Sequence, residues 1–282
     1  MQIWHHPSEA GESSLPILHF VHGNGFPTGT YSEFLKRLAP NYQIRALDMH
    51  GHNPDYPVTD SWPHLVDELI ASIELASARS APVILLGHSL GGMLSLMAAK
   101  KRPDLVRCVV MLDSPVVAGW RARVLQIAKL MRADILVPPA KNSVKRRKSW
   151  ADEEEAYQHF FAKPAFAIWP EPVLRDYISY GTEHYARGVT LHFNREIETS
   201  IYRTLPHGIS KLTGLPFPVP IGFICGTTSQ ECKQAGIYHT QQLVRENFDW
   251  IEGGHLYPME SPEAAAQKAH AMILKLTGQH SL

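Results

Sequence analysis

The sequence is poor in cysteine, in net charge and in long apolar runs. Cys108, Cys225 and Cys232 are the only thiols in 282 residues, and none belongs to a C-x-x-C pair. That excludes a disulfide framework and the paired spacing of a structural zinc site. Cys108 and Cys225 sit inside apolar runs and read as packing residues in a reducing compartment. The 27 Lys and Arg balance 27 Asp and Glu. A nucleic-acid or strongly charged polymer partner is therefore not expected. No run approaches the roughly 18 apolar residues of a membrane helix. Met1-Gln2-Ile3-Trp4-His5-His6-Pro7 has no basic start before an apolar core, so a secretory leader is not expected and the reading is cytoplasmic. A glycine-rich dinucleotide loop, an internal repeat and low-complexity segments are also missing. No cofactor and no metal are implied. Histidine is plentiful at 16 residues, so the chain turns positive towards about pH 6.

The stretch that stands out begins at Val83-Ile84-Leu85-Leu86, an uncharged apolar run of the kind that forms a buried parallel strand. Gly87-His88-Ser89-Leu90-Gly91 follows and fits G-x-S-x-G. Met93, Leu94, Leu96, Met97 and Ala98 then carry helical spacing, closed by Lys100, Lys101, Arg102 and Pro103. Strand, serine turn and helix in that order are the context the motif requires. A turn this tight strains the serine, lifts its hydroxyl above the sheet edge and sets it on a helix N-terminus that favours negative charge.

On these residues the chain resembles an α/β-hydrolase, a serine esterase with a helical cap, over nearly its whole length. The resemblance implies a mostly parallel central sheet flanked by helices, with the cap inserted after the family's sixth strand. It divides the chain into a first core segment (1–116), a helical cap (117–215) and a second core segment (216–282). Residues 15–21 read as a strand that runs into His22-Gly23-Asn24-Gly25. By the resemblance, the Asn24 amide is one oxyanion donor, with Gly25 next in preference, and the Leu90 amide is the second. Asp48-Met49-His50-Gly51-His52 resembles the family's D-x-R-G-H-G turn with His50 in place of Arg. It reads as structural, and a place for His50 or His52 at the pocket mouth stays open. Gly253-Gly254-His255, with Pro258 and Glu260 behind it, resembles the histidine loop. Ser261 caps the final helix and Pro262 opens it.

The third member departs from the family. Ser229 occupies the usual acid position, and a serine cannot stabilise an imidazolium as a carboxylate does. Asp113, after the strand at 105–112, stands at the carboxyl edge of the sheet where ligands bind and is the preferred acid. Glu231 and a neutral Ser229 remain alternatives.

Residues 117–215 show helical spacing at 120–131, 153–161, 172–180 and 194–202, with no strong strand. Lys145-Arg146-Arg147-Lys148 and Asp152-Glu153-Glu154-Glu155 read as neighbouring blocks that neutralise each other on a solvated helix. The aromatics Trp120, Phe160, Phe161, Phe166, Trp169, Tyr177 and Tyr180 read mainly as cap core.

The expected function is a serine hydrolase, a carboxylesterase acting on small to medium carboxylic esters through an acyl-serine intermediate. The expected partner is a small-molecule ester. Acyl transfer and thioester, lactone or carbon–carbon hydrolysis stand as alternatives on one fold, and a non-catalytic binding protein is a further one. Serine at position 89 argues against haloalkane dehalogenases and epoxide hydrolases, which place Asp there.

Overall fold

Ten strands are seen in the computed structural model, which describes residues 3–5, 15–77, 81–131, 140–212, 214 and 216–278. They are β1 (Ile3–His5), β2 (Ile17–Val21), β3 (Gln43–Leu47), β4 (Val83–His88), β5 (Val106–Leu112), β6 (Ser149–Trp150), β7 (Thr182–Tyr185), β8 (Gly188–Leu191), β9 (Ile221–Gly226) and β10 (Phe248–Ile251). Seven of them form the main sheet in the order β1-β3-β2-β4-β5-β9-β10. Only the edge strand β1 is antiparallel, pairing Ile3 with Leu47.

Period-two alternation along these strands makes two apolar layers. Leu18, Phe20, Ile84, Leu86, Val110 and Ile224 face one layer, covered by the helices Ser32–Leu38 and Pro262–Thr277. Val21, Leu85, Val109, Met111 and Phe223 face the other, covered by Pro63–Ser77 and Leu90–Lys101. Leu65, Leu69 and Ile73 are buried on the Pro63–Ser77 helix, as their spacing predicts. Every residue of β4 is buried, which explains its uninterrupted apolar run.

The chain builds β2 and β3 to one side, then crosses to β4 and continues through β5, β9 and β10 in the other direction. The strand order therefore reverses between β2 and β4. In open α/β sheets the crevice beyond such a reversal is where ligands bind. His22-Gly23-Asn24 and Ser89 leave the sheet at that point, because Val21 pairs with Gly87.

Between β5 and β9 the described chain is mainly helical, with Gly119–Leu130, Glu153–Phe161, Glu171–Gly181 and Arg195–Arg203 as its longer helices. This region follows the fifth described strand, which the family resemblance counts as the sixth. It also holds an antiparallel sheet in the order β6-β8-β7, where no strong strand was expected. These strands carry little signal: β6 has two residues and three of the four in β7 are exposed. Trp150 paired with Val189, and Leu191 opposite Thr182, anchor the sheet in an apolar core.

Two other expectations need correction. Phe160, Trp169 and Tyr177 do pack together, with ring centroids 5.0 and 5.6 Å from Tyr177. Trp120, Phe161 and Tyr180 are instead exposed. In the charged run, Arg147 reaches Glu155 at 2.7 Å as expected of neighbouring blocks. Arg146 turns inward and pairs with Glu198 at 2.7 Å.

Candidate active site

Ser89 joins β4 to the helix Leu90–Lys101 with φ 53° and ψ −115°. A non-glycine residue held there costs about 1–3 kcal/mol and needs its surroundings to enforce it. Two glycines do so. A Cβ on Gly87 would lie 2.3 Å from the Gly91 carbonyl oxygen, and one on Gly91 would lie 1.9 Å from that of Val21. The helix can cross the end of β2 so closely only because neither side chain exists. Leu90 is the first helical residue, so its N–H has no acceptor within the helix. Asn24 sits in the turn closed by Phe26 N–H to Gly23 O at 3.2 Å.

His255 lies between the serine and a carboxylate. Its Nε2 is 3.0 Å from Ser89 Oγ and its Nδ1 is 2.7 Å from Asp113 Oδ2. The carboxylate oxygen can only accept, so Nδ1 carries the proton and Nε2 faces the hydroxyl as a base. The loop is held by Gly254 N–H to Glu260 Oε2 at 2.8 Å and by Thr228 N–H to Gly253 O at 3.0 Å. Burial pushes His255 down, but the bond to Asp113 and the charges of Glu231, Asp113 and Glu260 leave it above the ordinary imidazole value.

Asp113 follows β5 with φ 48° and is fully buried. Its amide donates to Ile224 O at 2.9 Å, locking it to β9. Besides His255, its oxygens accept from Gly226 N–H (2.8 Å), Ser229 Oγ (2.6 Å) and Cys232 Sγ (3.3 Å). Burial alone would raise its carboxyl, and the bonds from His255, Ser229 and Gly226 outweigh it and hold the group below the usual carboxylate value. Ser229 therefore touches the carboxylate and not the imidazole. It also caps the helix Gln230–Ala235 by accepting from Cys232 N–H. Glu231 is half exposed, with Oε2 3.8 Å from His255 Nδ1, a charge beside the ring rather than a hydrogen-bond partner.

His88, inside the serine motif, joins the two loops. The His255 carbonyl, 2.9 Å from His88 Nε2, fixes the proton on that nitrogen. His88 Nδ1 then accepts from the Tyr31 hydroxyl at 2.8 Å, and the Tyr31 oxygen accepts from Gly23 N–H at 3.0 Å. The chain Gly23–Tyr31–His88–His255 ties the Asn24 turn to the histidine loop. Burial and the neighbouring His255 push His88 down to about 3, so it stays neutral.

From the other side, the Asn24 side-chain amide donates to Glu198 O at 3.0 Å. The Glu198 carboxylate, paired with Arg146, approaches Gly25 so closely that a Cβ there would meet it at 2.9 Å. Arg146 also donates to the Tyr177 hydroxyl. His50 is buried against Glu68 at 3.2 Å, and His52 Nε2 accepts from Asn194 N–H at 3.0 Å. Both hold the turn in place, and the partly exposed His52 also lines a surface cavity with Asn194 and Arg195.

Residues 20–268 match the model of the Alpha/beta hydrolase family. The chain belongs to that family. This α/β hydrolase is 35% identical over 89 residues to the pimeloyl-[acyl-carrier protein] methyl ester esterase of Xanthomonas oryzae pv. oryzae, 32% of this chain and 33% of that one. It is 33% identical over 164 residues to lipase LipV of Mycobacterium tuberculosis, 46% of this chain and 62% of that one. With the 2-(acetamidomethylene)succinate hydrolase of Mesorhizobium japonicum it shares 36% over 103 residues, 36% of this chain and 37% of that one. The chain thus spans about a third to two thirds of the length of these relatives. Among solved structures, E-2-(acetamidomethylene)succinate hydrolase superposes with a TM-score of 0.72 at 20% identity, covering 96% of this chain and 99% of that one. The thioesterase domain from the curacin biosynthetic pathway gives 0.72 at 17%, covering 96% and 93%. At those identities the likeness is one of fold. No helix among the described residues is long and apolar enough to cross a membrane.

Tyr31, His88, Arg146 and Glu198 are the participants that the sequence did not mark. Only His88 had a visible sign, its place within the serine motif. The others act through tertiary contacts with no local pattern.

Proposed function

We propose that this α/β hydrolase is a serine hydrolase, a carboxylesterase cleaving small to medium carboxylic esters through an acyl-serine intermediate. The observation that carries this reading is the relay Ser89 Oγ–His255–Asp113 at 3.0 and 2.7 Å. His255 Nε2 takes the serine proton as Oγ attacks the ester carbonyl, and Asp113 stabilises the imidazolium formed. The Asn24 and Leu90 amides hold the tetrahedral oxyanion, each donor lowering the barrier by about 3 kcal/mol. His255 then returns the proton to the leaving alkoxide, and water enters by the same route to release the acid.

Residues 117–215 act as the cap in this reading. Its contact with the site, Glu198 against Asn24 and Gly25, lets it shape the acyl or alcohol pocket. The three free, buried cysteines suit a reducing cytoplasm. The esterase and lipase names among the relatives support ester hydrolysis.

A fluorophosphonate probe tests the reading. Label is expected on Ser89, together with p-nitrophenyl acetate or butyrate turnover that disappears in Ser89→Ala. Absence of label on Ser89, or turnover that survives the substitution, overturns it. Addition of an alcohol separates hydrolysis from acyl transfer, since a transferase diverts the acyl group to the alcohol.

A further inference from the structure

We propose that Asp113, Cys225 and Cys232 form a site for a soft divalent cation of the zinc or cadmium kind, and that its occupancy slows the enzyme. The proposed reaction uses only one oxygen of Asp113 and neither thiol. Both thiols are free and buried. One ligand atom from each of the three residues lies within 4.8 Å of the others. Cys232 Sγ is 3.3 Å from Asp113 Oδ1. A tetrahedral cation with bonds of about 2.3 Å to sulfur and 2.1 Å to oxygen holds those two atoms about 3.6 Å apart. For that pair the thiol proton can therefore give way to a cation with a shift of a few tenths of an ångström, and Cys225 Sγ lies within 4.8 Å of both atoms. Two thiolates and one carboxylate favour zinc or cadmium over magnesium or calcium.

The donors stand on rigid elements. Cys225 is in β9, Cys232 is in the helix capped by Ser229, and Asp113 is bonded through its amide to β9. A cavity of about 250 Å³, lined in part by Gly226, Ser229, Cys232, Ile237 and Trp250, reaches Cys232 and Ser229. It offers an entry path and room for a water as fourth ligand.

Binding releases the two thiol protons to solvent, and the thiolates and Asp113 Oδ1 take the cation. The net charge of the cluster stays at one negative, but the carboxylate now shares its charge with the cation rather than with His255. The imidazolium formed during attack is then less stabilised, so kcat falls while KM changes little. Proton release makes occupancy tighten as pH rises. The loss of turnover rests on the serine-hydrolase reading, and the binding does not.

The test titrates the purified full chain with cadmium alone, following thiolate-to-cadmium charge-transfer absorption and ester turnover together. One equivalent is expected to produce the band and a fall in kcat of about ten-fold or more, given how strongly such a histidine depends on its carboxylate. EDTA is expected to reverse both. Cys225→Ala, and the double variant Cys225→Ala with Cys232→Ala, are expected to lose the band and the response, each judged against its own metal-free rate. The single variant decides the matter if the double variant does not fold. No thiolate band, or an equal loss of turnover in a folded variant without it, overturns the site. A band without loss of kcat in an active enzyme overturns its link to His255. If the protein hydrolyses no ester, the band still decides the site while the serine-hydrolase reading falls separately.

Discussion

Asp113 carries four contacts on two oxygens, and it does so because the chain places it against β9 rather than in a loop of its own. Asp113→Asn is expected to lower kcat by about 10⁴-fold, since an amide there favours the wrong imidazole tautomer, as in the corresponding change in chymotrypsin-type proteases. Glu231→Gln is expected to keep most activity, because that carboxylate lies 3.8 Å from the ring and is half exposed. Steady-state kinetics of the two variants checks the order, and a larger loss in Glu231→Gln would make Glu231 the acid. His255 stands above the ordinary imidazole value, with Glu231 among the causes. The rising limb of kcat/KM against pH is therefore expected to have its midpoint above about 6.5. Glu231→Gln moves that midpoint down.

The elements meet through contacts that tolerate little change. Tyr31 spans the Asn24 turn and His88, accepting from Gly23 N–H and donating to His88. Tyr31→Phe leaves a buried amide and a buried ring nitrogen without this partner, and is expected to cost about 1–3 kcal/mol of stability. It also loosens the turn that carries Asn24, so kcat is expected to fall more than KM rises. Urea unfolding and kinetics on one preparation check both effects. Arg146 and Glu198 pair at 2.7 Å with side chains 15% and 8% exposed. Glu198→Ala strands the cation and is expected to destabilise by about 3–5 kcal/mol. A thermal shift within error of the wild type would show that the pair does not hold the helical region together.

For the whole molecule, acid is the relevant stress. His19 and His88 are pushed down to about 3 and His22 well below its ordinary value, each chiefly by burial. All three are neutral in the folded chain and take up protons on unfolding below about pH 6.5. The unfolded state binds more protons in that window, so stability falls as pH falls from about 6.5 toward 3, by up to about 4 kcal/mol per pH unit for three groups. Thermal unfolding between pH 7 and 5 is expected to show this slope. His19→Gln, remote from Ser89, is expected to flatten it by about one third, as one group of three.

The local patterns of this chain determined its fold class and singled out Ser89 and His255, which the structure brings within 3.0 Å of each other. The β4 run, the G-x-S-x-G turn and the Gly253-Gly254-His255 loop are short-range features, because the steric demands of a strained turn are met by adjacent residues. Asp113 was preferred from its place at a strand end, but Glu231 and Ser229 stayed open, since the choice depends on which oxygen reaches His255 across 142 residues. Nor was the inward turn of Arg146, whose partner Glu198 lies 52 residues away. Cysteines with no metal-binding spacing in sequence stand beside one carboxylate only because β5 and β9 are neighbours in the sheet. Helix and turn chemistry are written over a few residues. Which distant side chains share a proton or an ion is decided by strand order and by the packing of the helical region on the sheet.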